Sequence, residues 1–125
     1  MLHLRHRPFW IAVSAVLVLG VIWGSLQTAF GGPAPRGFDK IEHFSTYMFL
    51  AVWFTGIFAR PRWWTVVVAL LALGASMEAG QLIMHAGRTA DVRDMAANTA
   101  GIAAGLLLAL LLTGGWAQRV ESWLR

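Results

Sequence analysis

The sequence predicts an all-α polytopic membrane protein, a four-transmembrane-helix bundle. Three observations carry this. The 125 residues are 58% hydrophobic. Charged residues make up only 13%, about half the ~25% usual in a soluble domain and too few to cover a soluble fold of this size. The apolar residues fall in four runs with almost no charge, each near the ~20 residues a helix needs to cross ~30 Å of hydrocarbon.

The runs place helices at about residues 9–30, 41–59, 63–84 and 91–115 of a single domain covering 1–125. Backbone groups in lipid must be bonded within their own segment, so helix is the conformation open to each run. The second apolar run, about Phe44 to Ala59, is short and lengthens if Ile41 to His43 continue the helix outward. The first run has a basic start, Arg5 and Arg7, as a signal peptide has. It exceeds the ~7–15 apolar residues of such a peptide and has no clean small-x-small cleavage site after it, so an uncleaved helix is expected. Gly31, Gly32, Pro33 and Pro35 make the first connection irregular, and Arg60-Pro61-Arg62 forms a tight turn. Trp10, Trp23, Trp53, Trp63, Trp64 and Trp116 lie mostly toward run ends, where interfacial anchors sit.

The net charge of +4 does not indicate nucleic acid. The basic residues are scattered at the ends of apolar runs, as membrane flanks are. The absence of cysteine excludes thiolate catalysis and cysteine-ligated metals. With the N-terminus inside, Arg5, Arg7, Arg60, Arg62, Arg119 and Arg125 fall on the cytoplasmic side, against Arg36, Lys40, Arg88 and Arg93 outside. This bias orients a multi-pass protein of the cytoplasmic membrane with both termini cytoplasmic.

Ionisable residues between the runs concentrate in two patches, Asp39 to Tyr47 and Glu78 to Asn98, which land on one membrane face if the runs cross. Asp39, His43 and Tyr47 are spaced i, i+4, i+8, an arc of ~80° descending ~12 Å along a helix. Gly74, Glu78, Gln81 and His85 form a second stripe. Asp91, Asp94, Asn98, Gly101 and Gly105 form a third if the fourth helix begins near Asp91. Gly20, Gly24 and Gln27 make a weaker stripe on the first helix. Small residues sharing a face with polar ones turn that face into the bundle, because they let helices approach closely. Each residue also has a structural reading: His43 and Tyr47 as helix cross-links, Glu78 with Gln81 as a polar clamp, Arg88 with Asp91 as a loop ion pair, Lys40 and Glu42 as solvated caps. Convergence of three helices on one outer pocket favours function, since ionisable groups inside a membrane are functional hypotheses by default.

The pattern Asp39-Lys40-x-x-His43-x-x-x-Tyr47 resembles the first signature of VanZ-like membrane proteins. Glu78-x-x-Gln81, followed by Arg88-x-x-Asp91-x-x-Asp94-x-x-x-Asn98-x-x-Gly101-x-x-x-Gly105, resembles the second. The resemblance covers about Gly37 to Leu112. It implies a small helical membrane protein of bacteria, in a family named after a glycopeptide-resistance protein and with many members near cell-envelope polysaccharide functions. It supplies no reaction.

The residues allow a catalytic set of His43, Glu78 and Asp94. Histidine is the side chain whose ordinary pKa lies near neutrality, which makes His43 the candidate general acid or base, and the partly buried Glu78 suits proton transfer. Substrate binding falls to Asp39, Lys40, Tyr47, Gln81, Arg88, Asp91 and Asn98, with Arg88 clamping a phosphate through paired hydrogen bonds. The sequence shows no cofactor motif; a divalent cation held through the oxygens of Asp91 and Asp94 is the one such group it admits. The expected partners are membrane lipids and a lipid-linked glycan or glycopeptide. The alternatives are a non-catalytic accessory protein with the same pocket and, more weakly, a proton or ion pathway.

Overall fold

The computed structural model describes residues 1–28, 38–83 and 92–124. All regular structure among them is helical, as apolar segments that must satisfy their own backbone require. Helix α1 spans Arg7–Thr28, α2 Phe38–Ile57, α3 Trp63–Ile83, α4 Val92–Leu108 and α5 Trp116–Trp123. Between α2 and α3, Ala59 is extended and Pro61 lies in the first positions of a 3-10 turn, Arg60–Arg62, where a missing N–H costs nothing. A π-helical turn, Ala109–Thr113, continues α4. Gly115 then adopts the left-handed conformation, φ 71°, which lets the chain turn into α5 without a Cβ clash.

Among the described residues, three stretches are long and apolar enough to cross a membrane: Arg7–Leu26, Arg60–Ile83 and Val92–Thr113. Helix α2 has 20 residues, but its polar first half keeps it out of that set. The second helix starts at Phe38 rather than near residue 41, so Asp39 and Lys40 belong to its first turn. The fourth helix with its π turn ends at Thr113, close to the expected 115, and α5 is a further short helix that the sequence reading does not place.

Helices α2 and α4 form the closest pair and α3 packs against both. Their common core contains Tyr47, Leu50, Ala51, Val66, Leu70 and Ile102. Much of α1 stays outside it, with Phe9, Ile11, Val16, Leu19 and Trp23 exposed. A Cβ added at Gly20 or Gly24 would meet nothing within 4 Å, so that stripe is not the close-packing face expected of it. Gln27 has no described side chain.

A second core closes the end that carries the chain termini, built from Leu4, Trp10, Ile57 and Ala117. Trp10, Trp53 and Trp116 meet there, with ring centroids 5.0–6.0 Å apart. Trp10 is buried, a packing residue rather than a lipid-facing anchor. Trp23 and Trp64 are exposed, as anchors are.

Candidate functional site

Two glycines set the distance between α2 and α4. A Cβ on Gly101 would collide with the Phe44 carbonyl oxygen. One on Gly105 would stand 2.6 Å from the Met48 carbonyl oxygen and 2.6 Å from the Ala51 methyl. These helices touch backbone to backbone, which small residues permit in membrane bundles. Gly74 does the same work on α3: a Cβ there would lie 3.0 Å from Asn98 Nδ2 and 3.3 Å from the Tyr47 hydroxyl. Polar side chains one turn from these contacts are therefore pressed together.

At the far end from the chain termini, Lys40 of α2 makes an ion pair with Asp94 of α4. His43 Nδ1 lies 3.0 Å from Asn98 Oδ1. An amide oxygen only accepts, so in the neutral ring Nδ1 carries the proton and Nε2 keeps its lone pair. That Nε2 faces two carboxylates, Asp39 at 3.8 Å and Asp94 at 4.0 Å. Asp94 and Asn98 are buried, at 5% and 1% exposure. Tyr47 is 2% exposed, and its hydroxyl has no hydrogen-bond partner among the described residues. Such an atom costs about 1–3 kcal/mol unless something bonds it.

A cavity of about 20 Å³ is lined by Ser25, Asp39, Glu42, His43, Thr46 and Tyr47. That is room for about one water-sized group. On α3, Glu78 is buried one turn along from Gly74, where an added Cβ would lie 3.3 Å from the Tyr47 hydroxyl. Gln81 is buried and donates from Nε2 to the Ser25 carbonyl of α1 at 2.9 Å.

The structure thus brings together Asp39, Lys40, His43, Asp94 and Asn98, with Tyr47 and Glu78 adjoining them. Gln81, on the same face of α3, turns to α1 instead. Lys40 is an ion-pair partner rather than the solvated cap its position suggests, while Glu42 is exposed. Arg88 and Asp91, and with them the phosphate clamp and half of the expected cation site, lie outside the described residues, as does His85. Thr46 and Ser25 escape the sequence reading. Thr46 lies one position off the stripe, and Ser25 contributes a backbone carbonyl, which no side-chain pattern reveals.

Asp39, His43 and Asp94 each present a ligand atom within 4.8 Å of the others. Two carboxylate oxygens and a ring nitrogen suit a divalent cation. The Lys40 ammonium already engages Asp94, however, and an ion would have to share that carboxylate with it.

Fold and site together define a small polytopic α-helical membrane protein with a polar cluster buried at one end of its bundle. The family model VanZ/LLP1 matches residues 4–113, and the chain belongs to that family. No curated protein and no solved structure matches it.

Proposed function

We propose that the α2–α4 cluster binds the polar headgroup of an amphiphilic cell-envelope substrate, a polyprenyl-phosphate, glycolipid or glycopeptide, at the outer face of the cytoplasmic membrane. The observation that carries this reading is the Tyr47 hydroxyl. It is buried and unpartnered among the described residues, and Tyr47 is one of the residues lining the same small cavity as Asp39 and His43. A polar atom in that state calls for a ligand or water. The cavity takes only one small group, so a headgroup inserts an oxygen there while its remainder stays at the mouth beside Glu42 and Thr46. Lys40 supplies a cation for an anionic group.

A second reading, processing of the substrate, is favoured by His43. Asn98 holds its Nδ1, which fixes the ring and directs Nε2 toward the two carboxylates. A ring oriented this way suits proton transfer with a bound hydroxyl or water. In this reading His43, Glu78 and Asp94 act on the proton, and the remaining residues hold the headgroup. A divalent cation at Asp39, His43 and Asp94 would supply charge to the same end.

The topology that goes with this places both termini in the cytoplasm and makes α2 the fourth crossing. The chain has no cysteine, so single cysteines report cleanly. Val92→Cys is expected to react with an impermeant maleimide on intact spheroplasts and Arg62→Cys only after lysis; the reverse pattern inverts the orientation.

Function is tested on purified protein with native lipids retained. His43→Ala, Glu78→Gln and Asp94→Asn are expected to remove the co-purifying headgroup lipid while the protein still inserts. Hydrolysis or transfer of added polyprenyl-phosphate or glycolipid decides for processing. Equal lipid content in wild type and all three variants rules out the binding site.

A further inference from the structure

A second site lies at the opposite end of the bundle, independent of the polar cluster. Between the N-terminal segment, the start of α1 and the end of α2 is a cavity of about 740 Å³, with Arg7 and Arg62 in its wall. It shares Phe54, Phe58 and Arg62 with a cavity of about 790 Å³. The second runs along α3 from Trp64 to Ser76 and is bounded across the gap by Val18 of α1. Both are in the ~300–1,000 Å³ range of pockets that hold small ligands.

Their chemistry is graded. Among the described residues, no Asp or Glu lines either cavity, and neither Arg7 nor Arg62 has an ion-pair partner. The two guanidinium groups converge on one locality. The Met1 ammonium is held below its ordinary pKa of 8.0 by desolvation first and then by the charges of Arg62 and Arg7. Beyond Arg62 the wall turns apolar: Val66, Ala69, Leu70 and Leu73. Trp64 to Ser76 is thirteen residues of helix, a rise of about 18 Å. One leaflet of hydrocarbon is about 15 Å deep, half of the ~30 Å core.

We propose that an anionic phospholipid docks here, its phosphate between Arg7 and Arg62 and one acyl chain in the groove between α1 and α3. Charge complementarity selects the headgroup: two unpaired guanidinium groups at a membrane end suit a phosphate carrying net negative charge. The apolar lane selects a lipid over a free phosphate, because its depth matches one chain in one leaflet. The occupant also accounts for α1, whose apolar surface stands apart from the main core; the lipid chain covers part of it.

The test is native mass spectrometry of the full chain from detergent, with dioleoyl-phosphatidylglycerol and dioleoyl-phosphatidylcholine compared at equal concentration. The acyl chains are identical, so the comparison isolates the headgroup, anionic with glycerol and zwitterionic with choline. Phosphatidylglycerol is expected to be retained at least about fivefold better, the factor one basic residue contributes at a membrane surface. The Arg7→Ala/Arg62→Ala variant is expected to lose this preference, and Arg7→Lys/Arg62→Lys to keep most of it. Ala69→Trp, which fills the lane, is expected to lower retention of both lipids. Equal retention of the two lipids by the unmodified protein overturns the proposal and needs no variant to fold. So does unchanged preference in the double alanine variant. Displacement of the lipid by glycerol 3-phosphate at comparable concentration would mean a phosphate site without a chain lane, and also overturns it.

Discussion

The ammonium of Lys40 and the carboxylate of Asp94 pair across the α2–α4 seam, with the lysine side chain 35% exposed and the aspartate 7%. The pair is asymmetric. Asp94 is enclosed by helices, while Lys40 reaches it from the edge of the bundle. Removing the lysine strands a buried carboxylate; removing the aspartate leaves an ammonium that can swing to water.

Lys40→Met is accordingly expected to destabilise the protein by about 3–5 kcal/mol, the cost of breaking a buried pair from one side. Asp94→Asn is expected to cost less. The double variant Lys40→Met/Asp94→Leu is expected to recover part of the loss, because no charge then stays buried. Unfolding of detergent-solubilised protein by SDS titration measures all three. Additive losses would show that the two residues do not couple.

The α2–α4 seam yields a second expectation. Gly105→Ala places a methyl 2.6 Å from the Met48 carbonyl oxygen, and Gly101→Ala places one on that of Phe44. Backbone cannot give way as a side-chain tip can, so each is expected to cost at least about 1–3 kcal/mol. Gly20→Ala has open space around it and is expected to be neutral or mildly stabilising, since alanine favours helix by up to about 1 kcal/mol. Equal melting temperatures for Gly20→Ala and Gly105→Ala would mean that the seam does not limit stability.

These glycines show what was legible in the sequence. Gly74, Gly101 and Gly105 share their faces with Glu78, Gln81, Asp94 and Asn98, and the i, i+4 rhythm is enough to turn those faces inward. The same rhythm at Gly20 and Gly24 misleads, because spacing reports a face and not whether a neighbour covers it. The Lys40–Asp94 pair joins residues 54 apart in sequence, and no local pattern selects one carboxylate among several as its partner. The three-tryptophan cluster is hidden for another reason. Tryptophan near a run end reads equally as lipid anchor or packing residue, and the choice is made by α5. That helix turns back over the bundle at Gly115 and places Trp116 so that its indole donates to the Val52 carbonyl at 3.1 Å.

Glu121 ties α5 to the N-terminal segment. Its carboxylate accepts from the backbone N–H of Arg5 at 2.7 Å, that of His6 at 2.9 Å and the Trp10 indole at 2.8 Å. Desolvation pushes its pKa up, but these three hydrogen bonds and the nearby His6 outweigh it and hold the group below its ordinary 4.5. A depressed carboxylate stabilises the fold fully above its unfolded pKa and loses that contribution as pH falls through the folded value. Glu121→Gln is therefore expected to speed hydrogen exchange at the Arg5 and His6 amides relative to wild type at neutral pH. The ratio of rates is expected to approach one as pH drops below 4.5. A ratio of one at every pH would mean that the clasp contributes nothing.

The final expectation concerns the ring at the centre of the candidate site. His43 Nδ1 and Asn98 Oδ1 are 3.0 Å apart, and the amide oxygen cannot donate. The neutral imidazole must then carry its proton on Nδ1, leaving Nε2 as the basic atom that faces Asp39 and Asp94. Nitrogen-15 shifts of labelled histidine in micelles distinguish the two tautomers directly. Wild type is expected to show an Nδ1-protonated ring for His43. In Asn98→Ala that preference is expected to vanish, and any binding or turnover that depends on Nε2 is expected to fall with it. Asn98→Asp keeps an acceptor at the same place and is expected to retain the tautomer, which separates loss of the hydrogen bond from loss of the side chain's bulk. An Nε2-protonated ring in the wild type would remove the basis for assigning proton transfer to that atom, and the cluster would stand as a binding site alone.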